Sequence, residues 1–225
     1  MDSLLLLLLD SRSPAGAHGH SGGMEAAVIA GFVRDERDVQ QFCAGRLAAT
    51  GAVAAGFAAA AARAWREDAD AVAWRALDDE YTARTPSEAA RASSRALGRG
   101  LLRLLRATVP GVDPSPAWSF IERPGPHQPL VLGAACAIAG GTPTDAARAA
   151  ALGTCTVPGS AAVRLLGLDP YAVHRVLAGL ASRIDSVADA AATPRDPADL
   201  PAGSAPALEL MADVHVTREG RLFAS

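Results

Sequence analysis

The chain has 225 residues with a formal net charge of -3. At that length a compact fold buries roughly 70% of the surface the open chain exposes, so one domain with a real core is within reach. Half of the residues are hydrophobic but only 4% are aromatic, and alanine and leucine carry the apolar share, a composition that favours helices and excludes a β-sandwich. All 21 basic residues are arginine. Without lysine there is neither a Walker-type phosphate loop nor Schiff-base chemistry, and without a basic excess nucleic acid is not an expected partner.

Taken in chain order, Leu4 to Leu9 is a short leucine run flanked by Asp2 and Asp10. It is too short, and lacks the basic start, for a signal peptide. No later stretch reaches about 18 apolar residues without charge, so the reading is a cytoplasmic protein without a membrane partner. Val39, Phe42, Cys43, Leu47, Val53, Phe57 and Ala61 fall at helical spacings, predicting one long helix over 36–66 or two joined by a kink at its glycines. A further helix is expected from Asp68 to Tyr81, with Trp74 in its middle and Trp65 just before it. Thr85-Pro86-Ser87-Glu88 reads as a cap, a first-turn proline and a glutamate three after the cap, opening a helix to Arg106.

Residues 109–129 contain Pro110, Pro114, Pro116, Pro124, Pro126 and Pro129, which withhold backbone donors and bias their predecessors away from helix, so this is a long connection. Leu130 to Ala139 is apolar almost throughout. Thr142 with Asp145 caps a helix expected to end near Cys155, followed by a short one from Gly159 to Leu166. Asp169-Pro170 opens an amphipathic helix with Val173, Val176, Leu177, Leu180, Ile184 and Val187 on one stripe. Residues 191–207 read as a mobile loop, a short helix follows over 208–215, and 217–225 is a C-terminal tail. The expectation is an all-α single domain over 1–225.

Arg91, Arg95, Arg99 and Arg103 recur every fourth residue, each step turning about 40° and the four covering an arc of roughly 120°. This basic stripe is either a face answered by the acidic neighbours Asp68, Asp70, Asp78, Asp79 and Glu80, or a docking surface for an acidic protein. His18 and His20 flank a glycine and are the candidate metal ligands, yet no Asp, Glu or Cys stands beside them to complete a site. His127, His174 and His215 are singletons of structural type. Cys43, Cys136 and Cys155 sit in apolar stretches and read as buried core residues rather than disulfide partners. HExxH, CxxC, GxSxG and strand-linked GxGxxG signatures are absent, and Ser160 has no base assigned to it, so the chain does not read as an enzyme.

The stretch Pro14-Ala15-Gly16 followed by Ser21-Gly22-Gly23-Met24-Glu25 resembles the N-terminal signature of the UreF family of urease accessory proteins, with Met24 at a leucine position. Gly98-Arg99 before Leu101-Leu102, Ala162-Val163-Arg164-Leu165 before Gly167, and the closing Arg221-Leu222-Phe223-Ala224-Ser225 extend the resemblance over nearly the whole chain. The chain departs from the family at His18, Gly19 and His20 and at Gly167 to Pro170. The resemblance implies an all-helical homodimer. It also implies a non-enzymatic scaffold that joins UreD (also called UreH) and the GTPase UreG and couples GTP hydrolysis to nickel insertion into apo-urease. No cofactor would be held stably, and nickel would be handled by the complex.

On that reading the interface candidates are Pro14, Gly16, Ser21, Glu25, Arg91, Arg95, Arg99, Arg103, Arg164, Arg218, Arg221, Leu222 and Phe223. The tail is expected to be free until UreD orders it, against the alternative that Leu222 and Phe223 fold back on their own domain. The competing functional readings are a metallochaperone using His18 and His20 directly, and an unrecognised helical enzyme.

Overall fold

The computed structural model describes residues 3–10, 13, 15, 17–111 and 125–224. Among them all regular structure is helical, without strands. In chain order the helices are α1 (Ser3–Leu9), α2 (Met24–Ile29), α3 (Glu36–Arg46), α4 (Ala52–Arg66), α5 (Ala71–Ala83) and α6 (Glu88–Thr108). They continue as α7 (Gln128–Ile138), α8 (Pro143–Leu166), α9 (Pro170–Gly179), α10 (Ala181–Ala191) and α11 (Pro206–Val216). Much of the proline-rich connection between α6 and α7, residues 112–124, lies outside the described residues.

The centre of the bundle is α4, packed between α7 and α8. Its buried face is almost all small, from Ala55 and Gly56 through Ala62, with Phe57 as the single large side chain. Small residues let backbones approach closely, and Gly133 of α7 marks the contact. A methyl group there would overlap the Ala58 carbonyl oxygen and stand 2.8 Å from the Ala61 Cβ. The long apolar segment over 36–66 is helical throughout, with its irregularity at one π-helical turn, Leu47–Gly51, that joins α3 to α4. A π turn inserts one residue into the helical ladder and re-aims the side chains around it. Gly51 sits where α8 crosses, and a methyl there would meet the Thr154 Cγ2 at 2.9 Å.

Three element boundaries differ from the sequence expectation. The helix opening at Thr142 does not end near Cys155 but runs to Leu166 with Pro158 inside it. Pro158 removes one backbone donor, and burial of α8 against α4, α7 and α10 offsets that loss. The amphipathic run beginning at Asp169 is two helices, broken at Gly179 and Leu180, where the Leu180 amide closes a turn on the Leu177 carbonyl. Val173, Leu180 and Ile184 of the stripe are nevertheless buried. The cap of α6 is Ser87, whose Oγ accepts from the Ala90 amide at 3.1 Å. Thr85 is unavailable as a cap because its hydroxyl donates backward to the Tyr81 carbonyl.

Smaller shifts occur at α5, capped by Asp70 rather than opening at Asp68, and at α11, which starts at Pro206. The Thr142 and Asp145 capping box forms as its spacing predicts. Between α10 and α11 the chain lies against the bundle: Arg63 donates to the Ala192 and Pro194 carbonyls, Arg84 to the Pro197 carbonyl, and Leu200 is buried. The stretches 36–66 and 143–166 are long and apolar enough to cross a membrane by length and composition. In this fold they pack on each other.

Candidate partner-binding face

Two ends of the chain meet at the start of α2. Gly22 and Gly23 hold positive φ values of 61° and 85°, a region that side chains with a Cβ avoid. The turn they make delivers Glu25 into the interior, 3% exposed. Ser21 is buried beside it and its Oγ accepts from the Glu25 amide at 3.2 Å. The Glu25 carboxylate accepts from the Leu222 amide at 2.8 Å and from the Phe223 amide at 3.0 Å. His215 Nε2 stands 3.3 Å from the same carboxylate, an electrostatic contact without hydrogen-bond alignment.

The C-terminal tail is therefore not free, which corrects the expectation that it awaits a partner. Phe223 is buried, the Arg164 guanidinium lies over its ring at 4.6 Å from the centroid, and the Ala224 amide donates to the Gly19 carbonyl at 2.8 Å. Cation–π stacking and the buried carboxylate supply the partners that the short tail lacks in itself. The fold-back holds for Phe223 and not for Leu222, whose side chain is 67% exposed. Arg218 and Arg221 are exposed as well. Of the residues singled out in the sequence, the structure gathers Ser21, Glu25, Arg164, Leu222 and Phe223 into one place. Pro14 and Gly16 lie outside the described residues.

An apolar surface adjoins this junction. A groove of about 190 Å³ runs between α2 and α11, lined by Ala26, Ala30, Leu210, Met211, Val214 and Arg218. Ile29 and Phe32 at the end of α2, and Leu210, Val214 and Val216 along α11, are largely exposed. Clustered exposed apolar side chains mark surfaces that another protein covers. The helix α11 is itself fixed from behind, because Asp213 accepts from the Ser87 hydroxyl at 2.7 Å and from the Ala89 amide at 3.0 Å. These bonds hold the Asp213 carboxyl below the usual carboxylate range.

The basic stripe on α6 divides. Arg95 is enclosed and forms a two-point pair with Asp78, Nη2 to Oδ2 at 2.8 Å and Nη1 to Oδ1 at 3.2 Å. Arg91 donates to the Thr85 and Pro86 carbonyls ahead of its own helix. Arg99 and Arg103 remain exposed. Half of the stripe thus makes contacts within the domain, and of the acidic neighbours only Asp78 answers it through an ion pair among the described residues.

His18 is exposed, and His20 Nδ1 is 2.9 Å from the Ser93 hydroxyl, with burial and the nearby His18 lowering its pKa. No group of three His, Cys, Asp or Glu side chains able to hold a metal occurs among the described residues. His127 is buried with Nε2 3.0 Å from the Thr82 hydroxyl, and His215 serves the Glu25 junction. His174 is exposed and so is not the structural histidine expected. The three cysteines are free and buried. Sequence reading missed Arg46 and Asp213. The available signal for Arg46 was a lone charge inside the apolar run Phe42 to Phe57.

A UreF family model matches residues 33–181. The chain is 44% identical over 221 residues, 98% of its length and 97% of the relative's, to the urease accessory protein UreF of Mycobacterium sp. (strain JLS). It is 41% identical to the protein of that name from Mycolicibacterium vanbaalenii, over 98% and 97% of the two chains. For the one from Mycobacterium marinum the identity is 40%, over 99% and 98%. With the family model over 149 residues and relatives matched over nearly the full length of both chains, the chain belongs to the UreF family of urease accessory proteins.

Proposed function

We propose that this urease accessory protein is a cytoplasmic, non-enzymatic scaffold in urease maturation, acting as a homodimer that joins UreD (UreH) and the GTPase UreG and couples GTP hydrolysis to nickel insertion into apo-urease. The observation that carries the reading is the α2–α11 face: a buried carboxylate on α2 pins the C-terminal tail behind it, while Phe32, Leu210, Val214 and Leu222 are exposed. A rigid base under exposed apolar anchors suits protein recognition. Lacking lysine, the chain has no phosphate-loop machinery of its own and acts on a GTPase by binding one nucleotide state better than the other.

Co-expression with UreD, UreG and the urease subunits tests this. Val214→Asp places a charge on the exposed face and leaves the melting temperature of the isolated protein within about 2 °C, since surface substitutions cost under about 0.5 kcal/mol. It abolishes recovery of the complex and urease activation. Full assembly and activation by this variant together with Leu210→Asp overturns the assignment of the face.

A further inference from the structure

Cys43 on α3 and Cys155 on α8 are 112 positions apart, and both are fully buried where the two helices pack together. The Cys43 Sγ stands 3.6 Å from the Cys155 carbonyl oxygen, and the Cys155 Sγ stands 3.9 Å from the Cys43 carbonyl oxygen. Each sulfur therefore reaches across to the other residue's backbone, and the two thiols hydrogen-bond to each other. A disulfide needs side chains that point toward one another across a short backbone separation, and this reciprocal contact is of that kind. The pair is unsymmetrical. The bond to Cys155 and then burial push the Cys43 pKa up, whereas that same bond, followed by the Arg46 and Arg183 guanidiniums, brings the Cys155 pKa down. A thiol that ionises beside one that keeps its proton suits oxidation in two steps. Cys136 supplies an internal contrast. It is equally buried, but its Sγ faces the Thr142 carbonyl at 3.7 Å, the ionisable groups acting on it are Asp145 and Arg66 rather than a thiol, and burial pushes its pKa up to about 11.

We propose that Cys43 and Cys155 are a redox-active pair that closes, on exposure to hydrogen peroxide, into a disulfide stapling α3 to α8. The bond joins two side chains already in contact, so the folded interior has no ligand to accommodate. The oxidant, little larger than water, enters when the helix pair opens locally, beside the π turn Leu47–Gly51 that ends α3. In the first step the Cys155 thiolate attacks one peroxide oxygen and the O–O bond breaks, leaving a sulfenic acid and a hydroxide that takes the Cys43 proton. In the second, the Cys43 thiolate attacks the sulfenic sulfur, the S–S bond forms and hydroxide leaves, to be protonated by solvent. The two sulfurs are oxidised and the peroxide is reduced to two waters. The proposal is independent of the scaffold reading, since it concerns the isolated chain.

The test treats the folded, full-length protein with hydrogen peroxide, quenches with catalase, then counts free thiols in urea and maps the peptides by mass spectrometry. The count is expected to fall from three thiols to one, the map to contain a Cys43–Cys155 cross-link, and dithiothreitol to restore all three. Cys136 stays reduced. Because the staple closes a loop of more than a hundred residues, the oxidised protein melts several degrees above the reduced one. In Cys43→Ala the second step is blocked, and dimedone traps the sulfenic acid on Cys155. Three thiols that survive peroxide doses sufficient to oxidise the urea-unfolded chain overturn the proposal. Loss of Cys136 at the same rate as the pair assigns the oxidation to global unfolding and overturns it as well. Should Cys43→Ala not fold, the thiol count and the cross-link map of the wild-type protein decide the matter.

Discussion

Phe223 and Glu25 stand 198 positions apart, and the amide of the first donates to the Oε2 of the second at 3.0 Å inside the protein. A buried carboxylate that accepts two backbone bonds is a strong tie, with each charge-assisted bond contributing about 1.5–3 kcal/mol. Glu25→Gln keeps the shape but turns an amide group toward a backbone donor. It is expected to lower unfolding free energy by about 2 kcal/mol and to speed amide exchange at Leu222 and Phe223. Unchanged protection at both amides would show that the tail is held by Phe223 packing alone.

Asp78 and Arg95 form an enclosed ion pair, and the His127 amide also approaches Asp78 Oδ1, at 3.4 Å. Removing one partner strands the other charge, so Asp78→Ala is expected to cost about 3–5 kcal/mol in urea unfolding. The double variant Asp78→Leu with Arg95→Met removes both charges and should be more stable than Asp78→Ala. A double variant that is the less stable of the two contradicts a desolvated pair.

His127 is fully buried against Tyr81 and Thr82. Burial first, then Arg95 and Arg91, push its pKa down to about 3 from 6.5. Between those values the unfolded chain binds a proton that the folded one refuses, so stability falls as the pH is lowered from 6.5 toward 3. The slope for this one group is about 1.4 kcal/mol per pH unit at most. Asp145 and Asp213, whose pKa values are lowered from 3.8, begin to lose their contributions only as the pH falls toward 3.8, at the bottom of that range. Urea titrations at pH 6.5, 5.5 and 4.5 should therefore show a shallower pH dependence in His127→Gln than in wild type. Parallel curves would mean that the imidazole protonates in the folded state.

Gly133 and Gly153 make an internal comparison. A methyl at Gly133 overlaps α4, whereas one at Gly153 on α8 meets nothing within 4 Å. Gly133→Ala should destabilise by about 1–3 kcal/mol through overpacking, while Gly153→Ala should stabilise by about 0.5–1 kcal/mol by removing a flexible residue from a helix. Thermal melts of the two variants in parallel read the difference. If both shift the same way, the close crossing of α4 and α7 is wrong.

Local pattern made most helices legible: Thr142 with Asp145, the run Leu130 to Ala139, and the spacing through 36–66 all announce themselves within a few residues. The misplaced boundaries share one physical cause. Pro158 and Gly179 are both helix breakers by propensity, yet only tertiary packing decides that the first is carried inside a buried helix and the second ends one. The junction at Glu25 was visible as two separate motifs at the two termini, but no local rule states that a carboxylate will find amides on the far end of the chain. Arg46 was passed over because periodicity scores apolar positions and says nothing of a charged side chain that reaches back to the Gly22 carbonyl.

The tail gives the sharpest separation between folding and assembly. Phe223 is 5% exposed while its neighbour Leu222 is 67% exposed, so two adjacent side chains serve opposite ends. Deleting Arg218 to Ser225 strips Phe223 from beneath Arg164 and leaves the Glu25 carboxylate without its amides. Losing a buried phenylalanine alone costs about 3–5 kcal/mol, and the truncated protein should melt well below wild type. Leu222→Asp keeps the backbone bonds and changes only the outward side chain, so its melting temperature should stay near wild type while co-purification with UreD and UreG is lost. A truncation as stable as wild type would show that the folded-back tail contributes nothing. A Leu222→Asp variant that assembles normally would confine the partner face to α2 and α11.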